Sequence, residues 1–263
     1  MPTKPVNGIS MNYAERGRGL PVVLIHGFPL DLRIWDAQVQ VLSDRYRIIA
    51  PDLRGFGRSG VGGAFSMESL ADDVHELLKQ IGAIPSVVGG LSMGGYVTMA
   101  YARKYPGDLK AVMLIDTRAE ADTPEGKEKR NQMLERLKTG GSKAVAEDMF
   151  PKMVSEETTK HRQDIAHKLR HIMESQSPET IGHAIAALRD RPDRSSDIRS
   201  IGVPTLVMVG EADAITPPAL SETMNKAITG SALATIPKAG HMSPMEQPEE
   251  ANRAIRRFLD GIG

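Results

Sequence analysis

The chain contains no cysteine, which excludes disulfides, thiolate metal sites, iron–sulfur clusters and a cysteine nucleophile, so any covalent chemistry must use another side chain. It has no excess charge of either sign: 33 basic residues stand against 33 acidic ones. A balanced chain has no charge excess that would by itself hold a phosphate backbone or an anionic membrane, so neither nucleic acid nor membrane is an expected partner. No apolar run approaches the roughly 18 to 20 residues of a membrane span, and the opening MPTKPVNGISMNYAERG lacks the continuous apolar core of a signal peptide. A cytoplasmic protein is expected. Aromatics are scarce, with five Phe, five Tyr and one Trp. That is too few for an aromatic-rich lid that docks on lipid.

What the chain does have is length and alternation. Its 263 residues suit one large α/β domain, or a core with one insertion. Asn7-Gly8 suits a hairpin turn between two short strands. The run Val22-Val23-Leu24-Ile25 is apolar throughout, as in a strand buried on both faces of a parallel sheet. Trp35, Val39 and Leu42 are spaced for a helix, and Arg47 to Ala50 reads as the next strand. Ser66 is a candidate N-cap for a helix that buries Met67, Leu70, Val74, Leu77, Leu78 and Ile81 and stops at Gly82. Strand Ser86 to Gly89, helix Gly95 to Lys104 and strand Ala111 to Ile115 continue the pattern. These are right-handed βαβ units.

From Arg118 to Asp197 only helical signals appear, with balanced charges and a single aromatic, Phe150. This segment reads as a helical cap inserted in the core. Strands resume at Thr205 to Val209 and Ala232 to Ile236, and a helix follows from Pro248 to Leu259. About eight strands are expected, in a core formed by residues 1–117 and 198–263, with the cap at 118–197.

The segment with chemical content is Gly89-Gly90-Leu91-Ser92-Met93-Gly94-Gly95, which carries G-x-S-x-G between a buried strand and a helix. A serine on that sharp turn projects its hydroxyl above the sheet, and Ser92 is the candidate nucleophile. A serine hydroxyl needs a base, and the base needs an acid to fix its tautomer. Of the seven histidines, His241 alone follows Ser92 in a loop after a strand. His75 belongs to an early helix, and His161, His167, His171 and His183 belong to the cap. His26 precedes the nucleophile and is expected to brace its loop by hydrogen bonding. For the acid, Asp213 lies just past strand Thr205 to Val209, at the end of the sheet where such folds place their sites. Asp116, past the neighbouring strand, is the second candidate and Glu211 the third. An oxyanion needs two backbone N–H donors, and those of Met93 and Phe28 are the candidates. Leu30 and Met242, each one or two residues from a site residue, are expected to contact substrate.

Two patterns lead elsewhere. Gly55-Phe56-Gly57-Arg58-Ser59-Gly60 matches G-x-G-x-x-G, but no helix opens at its glycines, as a dinucleotide site requires. His167 and His171 have the i, i+4 spacing of zinc ligands, yet lysine follows the first histidine where zinc proteases have glutamate. No metal and no organic cofactor is expected.

Taken in order, HGFP, DLRGFGRSG, GGLSMGG, GEADAITPP and AGHMSPMEQP resemble the α/β-hydrolase fold family across residues 26–248. Within it, HGFPLD, PDLRGFG, GGLSMGGY and DTRAEADTPE are similar to small bacterial carboxylesterases of the family V type and to 3-oxoadipate enol-lactonases. The resemblance implies a Ser92, Asp213, His241 triad under a helical cap, acting on a small-molecule ester of short to medium acyl length. A lactonase or a C–C bond hydrolase is the alternative reaction, and a ligand receptor on the same fold is the alternative of another class. Oligomeric state is not readable.

Overall fold

Alternating apolar residues in the parallel strands divide the interior into two layers. A computed structural model describes residues 1–262. The chain begins as an antiparallel hairpin, β1 (Thr3–Val6) and β2 (Ile9–Arg16), turning at Asn7 (φ 42°) and Gly8 (φ 84°). Then follow β3 (Pro21–Ile25), a 3-10 turn (Leu32–Trp35), α1 (Asp36–Leu42), β4 (Arg47–Pro51), α2 (Met67–Gln80), β5 (Ser86–Leu91), α3 (Met93–Lys104) and β6 (Leu109–Ile115). Four helices come next: α4 (Pro124–Met153), α5 (Glu156–His161), α6 (Gln163–Glu174) and α7 (Pro178–Asp190). The sheet resumes with β7 (Thr205–Gly210), then α8 (Pro218–Ala227), β8 (Ala232–Ile236), α9 (Ser243–Glu246) and α10 (Pro248–Asp260).

The eight strands lie in the order β1-β2-β4-β3-β5-β6-β7-β8. β1 pairs with β2, and β2 with β4, antiparallel; every other pairing is parallel. This is the α/β-hydrolase fold that the sequence motifs imply. Successive strand residues face opposite sides. Val23, Ile49, Val88, Val112 and Val207 therefore join α2 and α3 in one apolar layer, while Val22, Ile48, Val87, Ala111 and Leu206 join α1 and α10 in the other.

Ser66 caps α2 as expected. Its Oγ accepts from Ser69 N–H at 3.2 Å, and Ser69 Oγ accepts from Ser66 N–H at 2.9 Å. Leu70, Val74, Leu77 and Leu78 are fully buried beneath it, each contributing about 1.5–3 kcal/mol. Trp35 closes the 3-10 turn rather than lying within a helix, because Asp31 caps that turn by accepting from Arg33 N–H.

Two features depart from the periodicity. Helix α8 was not predicted because only Ser221 and Met224 are buried along it, too few to form an apolar stripe. Helix α4 breaks at Gly141 (φ 64°, ψ −163°). Its first half, through Leu137, packs with Ile181, Ile185 and Leu188 of α7 in the first layer. Its second half, through Ala146, Phe150 and Met153, packs with Ile165, Leu169 and Ile172 of α6 in the second. On either side of the kink the helices between β6 and β7 thus pack with both layers. No helix among the described residues is long and apolar enough to cross a membrane.

Candidate active site

The loops after β3, β5, β7 and β8 meet at one edge of the sheet. Strand β5 ends at Leu91 and α3 starts at Met93, so the whole reversal falls on Ser92, at φ 54° and ψ −113°. A non-glycine residue there is strained by about 1–3 kcal/mol and persists only if its neighbours hold it. Ser92 N–H donates to the Ile115 carbonyl at 2.9 Å, and the Ser92 carbonyl accepts from Thr117 Oγ1 at 2.8 Å. The glycines of the motif permit close packing. A Cβ on Gly90 would lie 2.1 Å from the Gly94 carbonyl oxygen, and one on Gly94 would lie 2.3 Å from that of Ile25.

The predicted base and acid are in contact. His241, in the loop between β8 and α9, is buried, and its Nδ1 lies 2.8 Å from Asp213 Oδ2. Asp213 Oδ1 accepts from the N–H groups of Ile215 (2.8 Å) and Thr216 (2.9 Å), and Oδ2 also accepts from Thr216 Oγ1 (2.7 Å). Burial opposes ionisation of this carboxyl, but His241 and the Thr216 donors outweigh it and hold it below the usual carboxylate range. With Asp213 ionised, Nδ1 carries the proton and Nε2 is left as an acceptor. Ser92 and His241 both line a cavity of about 60 Å³.

The other acids do different work. Asp116 Oδ1 accepts from Gly210 N–H (2.8 Å), and Oδ2 accepts from Ser243 Oγ (2.6 Å). It thus ties the end of β7 to the segment after His241, and burial together with the nearby Asp213 pushes its carboxyl well above the ordinary range. Glu211 accepts from Lys238 N–H at the surface. Sequence reasoning missed Glu246. Buried in α9, it accepts from Gly240 N–H (2.8 Å), Met242 N–H (3.2 Å) and, through its other oxygen, Ser155 N–H in the cap (2.7 Å).

Phe28 lines the cavity, and Met93 is the first residue of α3 after Ser92. Among the described residues neither amide N–H donates to a backbone acceptor, so both are available to an anion, Met93 at a helix N-terminus. The loop abuts the elbow: a Cβ on Gly27 would sit 3.2 Å from Ser92 Cβ. His26 braces it as expected, Nδ1 donating to the Gly27 carbonyl (2.8 Å) and Nε2 accepting from Leu53 N–H (3.0 Å).

The structure does not bring Leu30 and Met242 to the cavity wall. Both are wholly buried in the second apolar layer and neither borders the cavity. Leu30 N–H closes a turn onto the Gly27 carbonyl, and Met242 N–H bonds the Met153 carbonyl in α4, so each belongs to the packing behind the site. The apolar lining comes instead from Phe28, Met149, Leu188 and Ile215, beside Tyr96, with Arg118 and Arg130 as its charged members. The G-x-G-x-x-G glycines serve a structural loop. Asp52 accepts there from Leu32 N–H, Asn12 Nδ2 and Arg58 N–H, and a Cβ on Gly57 would strike its carboxylate. His167 and His171 are exposed on α6. A larger hollow of about 510 Å³ lies against β7, β8 and α10, and none of these reactive groups is in its lining.

Strand order, elbow and roofing helices together define an α/β hydrolase. The family of the alpha/beta hydrolase fold matches residues 21–248, and the chain belongs to it. It is 30% identical to the AB hydrolase superfamily protein YisY of Bacillus subtilis, over 95% of each chain. A thermophilic esterase from Thermogutta terrifontis, solved with malate bound, superposes with a TM-score of 0.95 at 42% identity, covering 99% of this chain and 98% of that one. The enol-lactonase from Burkholderia xenovorans LB400 superposes at 0.92 with 26% identity, covering 98% and 100%.

Proposed function

We propose that this protein is a cytoplasmic serine carboxylesterase that hydrolyses short to medium acyl esters through Ser92, His241 and Asp213. The observation that carries the reading is the buried Asp213–His241 pair facing the same cavity as the strained Ser92. His241 Nε2 takes the Ser92 proton as Oγ attacks the ester carbonyl. The tetrahedral oxyanion rests on the N–H groups of Phe28 and Met93, and the imidazolium, stabilised by Asp213, protonates the departing alcohol. Water then enters, gives its proton to Nε2 and attacks the acyl-enzyme, and Ser92 leaves with the acid released. Every step uses side chains and backbone N–H groups of this chain and water. The substrate is a small molecule, and neither nucleic acid nor a membrane takes part.

Lactone hydrolysis is the second reading, favoured by the superposition on an enol-lactonase. The apolar lining of Phe28, Met149, Leu188 and Ile215 offers a limited volume: each methylene gains about 0.8 kcal/mol until the space is full, after which strain reverses the gain. The test is kcat/KM for a p-nitrophenyl ester series set beside γ-lactones and enol-lactones. We expect a maximum at roughly two to eight acyl carbons with ordinary saturation kinetics. Turnover confined to lactones would transfer the assignment to the second reading, and a rate jump at the solubility limit of long-chain esters would make the cap a lipase lid.

A further inference from the structure

The wall of the cavity holds more positive charge than its acids neutralise. Arg118, just past β6, and Arg130, in α4, line the space occupied by Ser92 and His241. Both pair with the buried Asp122, at 2.5 and 3.0 Å, and a third guanidinium, Arg191, pairs with the same carboxylate at 2.8 Å. Burial opposes ionisation of Asp122, yet Arg130 and Arg191 outweigh it and hold the carboxyl below its usual range. Among the described residues no other acid forms an ion pair with any of the three. One carboxylate therefore serves three guanidinium groups.

Their donors are used unequally. Arg191 is occupied: it stacks 4.2 Å above the Tyr96 ring and donates to the carbonyls of Leu188 and Glu120. Arg118 gives Nη2 to Asp122 and has the Tyr96 hydroxyl as a second neighbour, while its Nε is buried without a hydrogen-bond partner. Arg130 gives Nε to Asp122. A buried guanidinium N–H without an acceptor is costly unless a ligand completes it. The planar fork of an arginine matches a carboxylate better than any neutral group.

We propose that the cavity selects open-chain esters carrying a second, carboxylate group that pairs with Arg118 and Arg130, such as half-esters of short dicarboxylic acids. The proposal rests on the serine-esterase reading for turnover.

The experiment compares matched pairs by pH-stat: monoethyl glutarate against ethyl pentanoate, with the carboxylate on the acyl side, and carboxymethyl butyrate against propyl butyrate, with it on the alcohol side. The expected result is that kcat/KM for at least one anionic ester exceeds that of its neutral partner by about tenfold or more. That ratio is expected to collapse in Arg118→Gln and Arg130→Gln. Arg118→Lys, which keeps the charge but loses Nε, should retain only part of it, and matched thermal melts identify the variants that are folded. In parallel, glutarate is titrated calorimetrically into Ser92→Ala protein with and without Arg118→Gln. Arg118-dependent binding of glutarate upholds the subsite even if no ester is turned over, in which case the esterase reading alone fails. Turnover of neutral esters with no anionic preference in either pair and no glutarate binding would overturn the subsite alone. So would a preference that survives both arginine substitutions.

Discussion

Replacing Asp213 by Asn tests how the proposed acid works, because the expected damage follows from the hydrogen bonds of its two oxygens. Oδ1 accepts from two backbone N–H groups, at 2.8 and 2.9 Å. The single carbonyl oxygen of an asparagine must take that place, since an NH₂ there would face two donors. Its NH₂ then occupies the position of Oδ2, 2.8 Å from His241 Nδ1, and can only donate. The imidazole is driven to the tautomer with its proton on Nε2, the atom that must accept from Ser92. A loss of that kind costs about ten-thousand-fold in kcat, or about 5.5 kcal/mol of transition-state stabilisation. Asp116→Asn is the control. Its carboxyl, already pushed toward the neutral form, contacts Gly210 and Ser243 rather than the imidazole, so the loss should be stability of about 1–2 kcal/mol with kcat nearly kept. Both variants are assayed on p-nitrophenyl butyrate alongside urea unfolding. If Asp116→Asn lost the greater share of kcat while folded, the acid would belong to β6 and the argument from Asp213 would be wrong.

Three further outcomes are expected. Gly94→Ala places a Cβ 2.3 Å from the Ile25 carbonyl oxygen, which neither backbone can relieve; calorimetry should show a loss of about 3 kcal/mol or more, and an unchanged Tm would contradict the packing described. Thr216→Val removes the hydroxyl donor to Asp213 Oδ2 and should lower kcat about tenfold, whereas full activity would show that the backbone donors suffice. His26 is buried with its pKa lowered, chiefly by burial, so the unfolded chain takes up a proton first as pH falls through about 6.5. The stability contributed by neutral His26 is therefore complete above that pH and lost below it, with a slope of at most about 1.4 kcal/mol per pH unit. Urea unfolding from pH 7.5 to 5 should show this slope in the wild type and lose it in His26→Gln; equal slopes would refute it.

Much of the fold was legible because it rests on local patterns. Strands β3, β5, β6 and β7 are apolar runs buried on both faces, and the Ser66-capped helix shows a full apolar stripe, so their patterns place them. The chain order of elbow serine, strand-end aspartate and loop histidine did the same for Ser92, Asp213 and His241, which the fold brings to one edge of the sheet. Where burial is sparse the pattern fails, as at α8. Nearness in sequence also misled: Leu30 and Met242 adjoin site residues along the chain, yet each packs behind the site. Of the residues that line the cavity, Met149 lies in the half of α4 that follows the kink at Gly141, and Leu188 lies in α7. The Gly140-Gly141 pair is the sequence signal for that kink, and the apolar spacing alone passes over it. Likewise Glu246 looks like an ordinary helix acid in the sequence, and only the folded chain shows it holding three backbone N–H groups.

The central claim is that Ser92 is the nucleophile, and it is tested most directly by covalent trapping. A fluorophosphonate, whose tetrahedral adduct mimics the charge distribution of the acyl-transfer transition state, is added to the protein while ester hydrolysis is followed, and the modified residue is located by peptide mass spectrometry. The account predicts one adduct per chain, on Ser92, formed in proportion to the activity lost. It also predicts no adduct in Ser92→Ala, whose kcat should fall on the order of a million-fold. An adduct on another residue that tracks the loss of activity, or a folded Ser92→Ala protein that keeps a tenth of the wild-type rate, would contradict it.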